Sequence, residues 1–188
     1  MIVISCIILI IGIWAALLFS SNKKYLTKLQ TGWEKIHCDE LVTIAIPARN
    51  EALYIERCVR SLMNQSYKNL QILILDDGST DDTNAIVKRL SQEDDRVQLI
   101  PGKPLEEGWK GKIFAMQQLL DASNGAYILY TDADTIHAEH SVAYGLAMMV
   151  KKRASMLSGY PKQRTPSLAV EIIVSAMLFN PVLFVPFK

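Results

Sequence analysis

The sequence has few cysteines and almost no excess of charge of either sign. Its 188 residues include three cysteines, Cys6, Cys38 and Cys58, which are scattered and form no CxxC pair. A disulfide framework is therefore not expected, and a reducing compartment is the simpler interpretation. The net charge is +1, from 20 Lys and Arg against 19 Asp and Glu. This balance lacks the basic excess typical of nucleic-acid binding, so no nucleic-acid partner is expected.

Several common fingerprints are also missing. The sequence contains no GxGxxG and no GxxxxGK[ST], so neither the usual dinucleotide motif nor a P-loop is present. No Ser/His/Asp set indicates a hydrolase, and we interpret His137 and His140 as surface or capping residues rather than metal ligands. Disorder is excluded as well, because 50% of the residues are hydrophobic and 21% are charged.

Much of the hydrophobicity lies in an uncharged run over residues 2–19. As a helix this run spans about 27 Å, close to the hydrocarbon thickness of a bilayer. Lys23, Lys24 and Lys28 follow it, which by the positive-inside rule places this end in the cytoplasm. We therefore predict a transmembrane anchor over residues 1–20, in the cell membrane. The alternative is a cleaved signal peptide, but that would carry its basic residues before the apolar run.

The rest of the chain divides into three parts. Residues 21–40 are predicted to be a polar connector, and residues 41–165 a single folded domain. Residues 166–188 form a second apolar segment that Glu171, Pro181 and Pro186 interrupt. This segment is predicted to be either a helix lying at the membrane surface or a helix packed in the core.

The middle of the chain alternates between short apolar runs and amphipathic stretches. This pattern predicts an α/β fold with a mostly parallel sheet covered by helices on both faces. Asn50 is expected to cap the first helix of this domain, and Ser79 or Thr80 the second. The predicted strands are Leu41–Ile46, Leu70–Leu75, Val97–Ile100 and Ala126–Thr131, with a short one near Met156–Ser158.

Polar clusters follow three of these strands directly. They read PARNE after the first strand, DDGSTDD after the second and TDAD after the fourth. In parallel sheets ligands bind beyond the carboxyl ends of the strands. We therefore expect these three clusters to meet at one edge and form a site.

Each cluster has a structural explanation beside a functional one. Asp132 and Asp134 can face one divalent cation, or they can simply end a strand and begin a turn. In DDGST, Gly78 suits a tight turn, whereas Asp76 and Asp77 are like charges that a turn does not need. The loop GWKGK offers Lys110 and Lys112 to a phosphate, or it is an exposed basic loop.

Taken together, these segments resemble family 2 glycosyltransferases in order, spacing and residue type. The resemblance covers roughly residues 41–160 and is carried by VTIAIPARNEALYIERCVRSLMNQSY, LQILILDDGSTDDT, GWKGKIFAMQQL and GAYILYTDADT. It implies a GT-A fold, a nucleotide-binding α/β domain with a DxD metal motif, and Mg or Mn as cofactor. It also implies that residues 41–165 bind a nucleotide sugar, with UDP as the expected nucleotide, and that the enzyme moves the sugar with inversion to a membrane lipid.

The resemblance assigns roles to individual residues. Asp77 is implied to bind the base, Lys112 to approach the diphosphate, and Asp132 to contact the sugar nucleotide. Asp134, with Asp132, is implied to hold the metal. The remaining residues implied to line the nucleotide pocket are Pro47, Ala48, Arg49 and Glu51.

The sequence departs from the family pattern in its second half. After Asp134 only Glu139 and Glu171 are acidic, so the general base of an inverting enzyme has no evident candidate. We therefore expect a donor-binding fragment, and binding without turnover is an alternative function. Within the family, GWKGK and SGYPKQRT resemble the subgroup that glycosylates carotenoid acids or hopanoid-type lipids. A polysaccharide-synthesis glycosyltransferase is a further alternative.

Overall fold

In a computed structural model, residues 38–155 form a parallel α/β domain. The structure describes residues 2–29, 38–159, 163, 167–171 and 174, and within the first range it describes the side chains of residues 9–22. Four parallel strands lie in the order β3-β2-β1-β4. They are β1 Val42–Ala48, β2 Leu70–Asp76, β3 Val97–Pro101 and β4 Tyr127–Tyr130.

Helices connect the strands, as parallel pairing requires. The order of elements confirms the predicted α/β class, whereas the strand predicted near Met156–Ser158 is wrong, because those described residues form none. The helices of this domain are α2 Ile55–Met63, α3 Thr83–Glu93, α4 Gly111–Asp121 and α5 Ser141–Lys152.

The two central strands, β1 and β2, form the core. Every residue of β2 is buried, and only Pro47 of β1 is partly exposed. One apolar cluster packs Ile44, Ile46 and Ile72 against α2, α3 and α5, and a second packs Leu73 against α4 on the other face. The near-continuous apolar runs in the sequence therefore reflect burial of both sheet faces.

The amino-terminal helix α1 spans Ile2–Leu29 and belongs to a separate unit. It continues beyond the predicted anchor into the residues predicted to be a connector. Among the residues that the structure describes, no helix is long and apolar enough to cross a membrane. The anchor over residues 1–20 therefore remains a prediction. Most of the apolar segment 166–188 lies outside the described residues, so its two interpretations also stay open.

The expected helix caps are wrong in detail. Tyr54, not Asn50, occupies the N-cap position of α2, and Asp82 occupies that of α3. Asn50 instead adopts a left-handed conformation, with a φ of 57°, and its side chain bonds to another loop. Asparagine tolerates this conformation better than most residues.

Candidate functional site

Asp76 ends β2 and Asp77 follows it directly, but their carboxylates have different surroundings. Asp76 Oδ1 accepts a hydrogen bond from the Ser79 N–H at 2.9 Å, and Oδ2 accepts one from Asn84 Nδ2 at 2.8 Å. Burial raises the pKa of Asp76, but these bonds from Ser79 and Asn84 outweigh it and hold the pKa below its usual value. Asp76 is therefore part of the turn, and its neighbour is the carboxylate left facing outward.

The Asp77 side chain lies at the carboxyl edge between two other segments. Its Oδ2 is 3.9 Å from Arg49 Nη1, and its backbone N–H donates to the Ala48 carbonyl at 2.9 Å. A Cβ atom at Gly111 would lie 3.7 Å from the same oxygen. The edge thus brings together residues from β1, β2 and α4, and the lack of a side chain at Gly111 keeps one side of Asp77 open.

The loop after β1 is fastened to the loop after β2. The Thr80 N–H donates to Asn50 Oδ1 at 2.8 Å, and the Asn50 N–H donates to Ser79 Oγ at 3.0 Å. The Glu51 N–H donates to Thr83 Oγ1 at 2.8 Å. These bonds set the PARNE and DDGST segments in a fixed relation at the edge, as the sequence predicted from strand order.

The TDAD segment brings a second acidic group to the edge. Lys112 Nζ lies 2.6 Å from Asp132 Oδ1, so the basic loop and the DxD motif meet. Glu51 lies near both aspartates. Burial raises the pKa of Glu51, and the charges of Asp134, Asp81 and Asp132 raise it further, whereas Lys112 lowers it. Two sequence-predicted aspartates therefore disfavour the charged form of Glu51, and Lys112 offsets part of this effect.

A divalent cation bound with a diphosphate fits this donor set. Carboxylates suit Mg²⁺ and Mn²⁺, which commonly take one or two from the protein and further oxygens from phosphate. No group of three or more His, Cys, Asp or Glu that could hold a metal by itself occurs among the described residues. Asp132 and Asp134 thus fit a metal that a bound phosphate helps to hold.

The start of α4 offers further phosphate-binding groups. The helix begins at Gly111 with Lys110 extended at its N-cap, and no side chain among the described residues caps it. Its first N–H groups and its positive dipole end therefore point toward the edge that holds Asp77 and Lys112. An anion in this position would satisfy them.

The sequence analysis did not identify Cys58 and Ser61 of α2, or Gln65 just beyond it, as functional residues. Cys58 Sγ donates to the Asp132 carbonyl at 3.7 Å, and Ser61 Oγ accepts the His137 N–H at 3.0 Å. Burial, with the charges of Asp134, Asp132 and Glu51, raises the pKa of the Cys58 thiol to about 12. The thiol therefore stays protonated and able to donate. The signal in the sequence was the recurrence of the polar side chains Cys58, Ser61 and Gln65 at roughly helical spacing among the apolar residues in and just after α2.

The remaining predicted residues lie in different surroundings. Ala48 is buried in the core and reaches the edge through its carbonyl, and Pro47 is partly exposed beside it. His137, which was expected at the surface or as a cap, is only partly exposed, and its Nε2 lies 3.0 Å from Thr131 Oγ1. Burial lowers its pKa, which favours a neutral ring. His140 does occupy the N-cap position of α5.

The fold matches GT-A nucleotide-binding domains in solved structures. The mannosyltransferase PcManGT from Pyrobaculum calidifontis, solved with GDP-Man and Mn²⁺, aligns with a TM-score of 0.51 and 24% identity over 74% of this chain and 43% of its own. TarS 1–349 from S. aureus, solved with UDP, aligns with a TM-score of 0.52 and 20% identity over 68% of this chain and 38% of its own. At these identities the likeness establishes the fold.

The chain belongs to glycosyl transferase family 2, whose family model matches residues 43–169. A curated relative is the UDP-Glc:alpha-D-GlcNAc-diphosphoundecaprenol beta-1,3-glucosyltransferase WfgD of Escherichia coli. It is 31% identical over 121 residues, which are 64% of this chain and 46% of WfgD. The glycosyltransferase GlyG of Streptococcus pneumoniae is 28% identical over 64% of this chain and 38% of its own. The chain thus spans less than half the length of these relatives.

Proposed function

We propose that this chain binds a UDP-linked sugar at the carboxyl edge of its sheet and serves in transfer of the sugar to a membrane lipid. The observation that carries the proposal is the meeting of Asp77 with Arg49, and of Glu51 and Lys112 with the DxD carboxylates, at one edge. TarS, solved with UDP, and PcManGT, solved with GDP-Man, lend support through their shared fold.

In this proposal Asp77 binds one end of the nucleotide sugar and the DxD carboxylates bind the other. Asp77, which the turn leaves accessible, accepts hydrogen bonds from the base, and Arg49 lies beside it. Lys112 and the first turn of α4 receive the diphosphate, while Asp132 and Asp134 hold the divalent ion. The ion, when bound, neutralises negative charge that develops on the leaving diphosphate. Lys112 supplies positive charge at the same end.

The acceptor is proposed to be lipid-linked. WfgD is named for transfer to a saccharide on diphosphoundecaprenol, which supports an acceptor held at a membrane. A carotenoid acid is the narrower version of this proposal, suggested by the GWKGK loop. Such a carboxylate is already ionised near neutral pH. It would need no general base, and after Asp134 the sequence offers only Glu139 and Glu171 for that role.

A second candidate function is nucleotide-sugar binding without turnover. The chain matches less than half of the curated relatives described above, and so their activity is not carried over whole. Hydrolysis or transfer of sugar from a UDP-sugar by the purified chain would exclude this candidate, and binding alone would favour it.

We also propose that residues 1–20 anchor the domain at the cytoplasmic face of the cell membrane. Nucleotide sugars are made in the cytosol, so this orientation gives the domain access to its donor. The support is the order of the apolar run and Lys23, Lys24 and Lys28. A reporter fused after residue 35 should be active only inside the cell. Activity confined to the outside would overturn this orientation.

Metal-dependent nucleotide binding tests the central proposal. Wild type should bind UDP more tightly with Mn²⁺ than with a chelator, and Asp134→Ala should lose this difference, because it removes an anionic ligand near the diphosphate. Asp121→Ala is a matched control, since Asp121 ends α4, away from its amino end. Titration calorimetry that shows equal UDP affinity with and without Mn²⁺ in wild type would refute the metal role.

A further inference from the structure

The loop that carries Asp132 and Asp134 has little structure of its own. Residues 131–140, between β4 and α5, contain no helix or strand. Its hydrogen bonds to the rest of the domain come largely from α2 and the residues just after it. Cys58 and Ser61 each make one such bond, and the Ser66 N–H donates to the Glu139 carbonyl at 2.8 Å.

Gln65 makes the largest contribution to this attachment. Its Nε2 donates to the Ala138 carbonyl at 2.8 Å and to the Ser61 carbonyl at 3.0 Å. Its Oε1 accepts the Val142 N–H at 3.1 Å and the Ser141 hydroxyl at 3.2 Å. The residue is fully buried. Both donors and both lone pairs of the amide are therefore used, which ties the end of α2 to the loop and to the first turn of α5.

We propose that Gln65 is a positioning residue that fixes the DxD loop in its binding geometry before the donor arrives. The inference rests on the proposed nucleotide site. Asp132 and Asp134 lie in a loop that has no helix or strand to fix it, and the bonds of Gln65 hold this loop to the end of α2 and to the start of α5. A loop already fixed spares the ligand the entropy of ordering it.

A second buried glutamine separates this role from general stabilisation. Gln71 is 7% exposed, and its Oε1 accepts the Thr43 hydroxyl at 2.7 Å and the Asn124 N–H at 3.0 Å. These partners lie at the amino ends of the strands, opposite the candidate site. Gln65→Met and Gln71→Met each remove a buried, hydrogen-bonded amide, so both should lower the thermal midpoint, but only the first touches the DxD loop.

The test measures UDP affinity of the full chain with Mn²⁺ and with a chelator, by titration calorimetry. For Gln65→Met we expect roughly a tenfold loss of the affinity measured with Mn²⁺, the size seen when partners of metal ligands are removed. Its affinity with the chelator should match wild type. Gln71→Met should stay within about twofold of wild type in both conditions, because distant sites act independently.

Hydrogen exchange gives a readout that needs no ligand. Amides of residues 132–141 should exchange faster in Gln65→Met than in Gln71→Met at equal distance from each thermal midpoint. Ser61→Ala, which removes one bond to the loop, should show a smaller change in the same direction and replaces Gln65→Met if that variant does not fold.

Three outcomes would overturn the positioning role. One is a Gln65→Met chain with wild-type affinity in the presence of Mn²⁺. Another is an equal loss in Gln71→Met, which would indicate general destabilisation. The third is a wild type that binds no UDP, which overturns the proposed function and the positioning role with it. In the first two outcomes wild type still binds UDP with Mn²⁺, so the proposed function stands.

Discussion

Asp76 and Asp77 allow a paired test of the nucleotide site, because one is held by the turn and the other is not. In Asp76→Asn the new side chain keeps one acceptor oxygen and turns an NH₂ group toward Ser79 N–H or Asn84 Nδ2. A buried donor left without its acceptor costs about 1–3 kcal/mol, so the free energy of unfolding should fall by that amount. Asp77→Asn loses only a long, partly exposed ion pair to Arg49, worth less than about 1 kcal/mol.

The order should reverse for nucleotide affinity. If the Asp77 carboxylate accepts an N–H of the base, asparagine can place a donor where an acceptor is needed. A charge-assisted hydrogen bond contributes roughly 1.5–3 kcal/mol, so UDP affinity should fall about tenfold to a hundredfold. Asp76→Asn keeps the Asp77 carboxylate, and well below its thermal midpoint it should bind UDP more tightly than Asp77→Asn does.

Thermal midpoints and UDP titrations on wild type and both variants complete the assay. Since the pKa of Asp76 is lowered by folding, its stabilising contribution is present above the ordinary value of 3.8 and is lost as the pH falls through the lowered pKa. The stability difference between wild type and Asp76→Asn should therefore shrink in acid. An Asp77→Asn chain with unchanged UDP affinity, or one that unfolds as easily as Asp76→Asn, would refute the reasoning.

Three further predictions concern the same edge. Glu51→Gln should raise the thermal midpoint at neutral pH, because the raised pKa of Glu51 means that its charge destabilises the fold there. Thermal scans should show that this gain vanishes below the ordinary pKa of 4.5, and the absence of a gain at neutral pH would contradict the prediction. Lys112→Gln should change the free energy of unfolding by less than about 1 kcal/mol, since the ion pair of Lys112 with Asp132 is exposed. The same variant should bind UDP more weakly in titration calorimetry, and unchanged UDP affinity would exclude Lys112 from the site. Gly78→Ala should lower the free energy of unfolding in denaturant titrations by about 1 kcal/mol, because Gly78 has a φ of 72°, a left-handed conformation that a Cβ atom disfavours. An unchanged free energy of unfolding would show that the turn can relax.

The sheet could be predicted because the sequence signals for strands and turns agree with burial. β2 was expected at Leu70–Leu75 and spans Leu70–Asp76, buried throughout. β1 runs two residues further than expected, through Pro47 to Ala48. Proline lacks the N–H that a central strand needs, but β4 pairs with β1 only as far as Ala45. Because β4 has already ended beside Pro47, no strand on that side of β1 requires the N–H that proline lacks.

The contacts within the site were less predictable because they are made between distant segments. Strand order was enough to expect PARNE, DDGST and TDAD at one edge. It gave no reason to expect that Asp76 bonds within its turn and Asp77 does not, since the two are identical in type and adjacent. Likewise Asn50 fits the sequence signal of a helix cap, whereas its carboxamide bonds to Thr80, 30 residues away in the sequence.

The two ends of the proposed donor site are held by separate means, and α2 contributes hydrogen bonds to only one of them. Asp77 is fixed by the pairing of β1 with β2 and by the bonds of Asn50 to Ser79 and Thr80, none of which involves α2. The DxD loop is fixed by the helix itself and by Gln65. A change in α2 that loosens the loop therefore leaves the attachment of Asp77 intact. It follows that binding of the base and metal-assisted binding of the diphosphate can be weakened independently, even though both draw on the segment between Pro47 and Gln65.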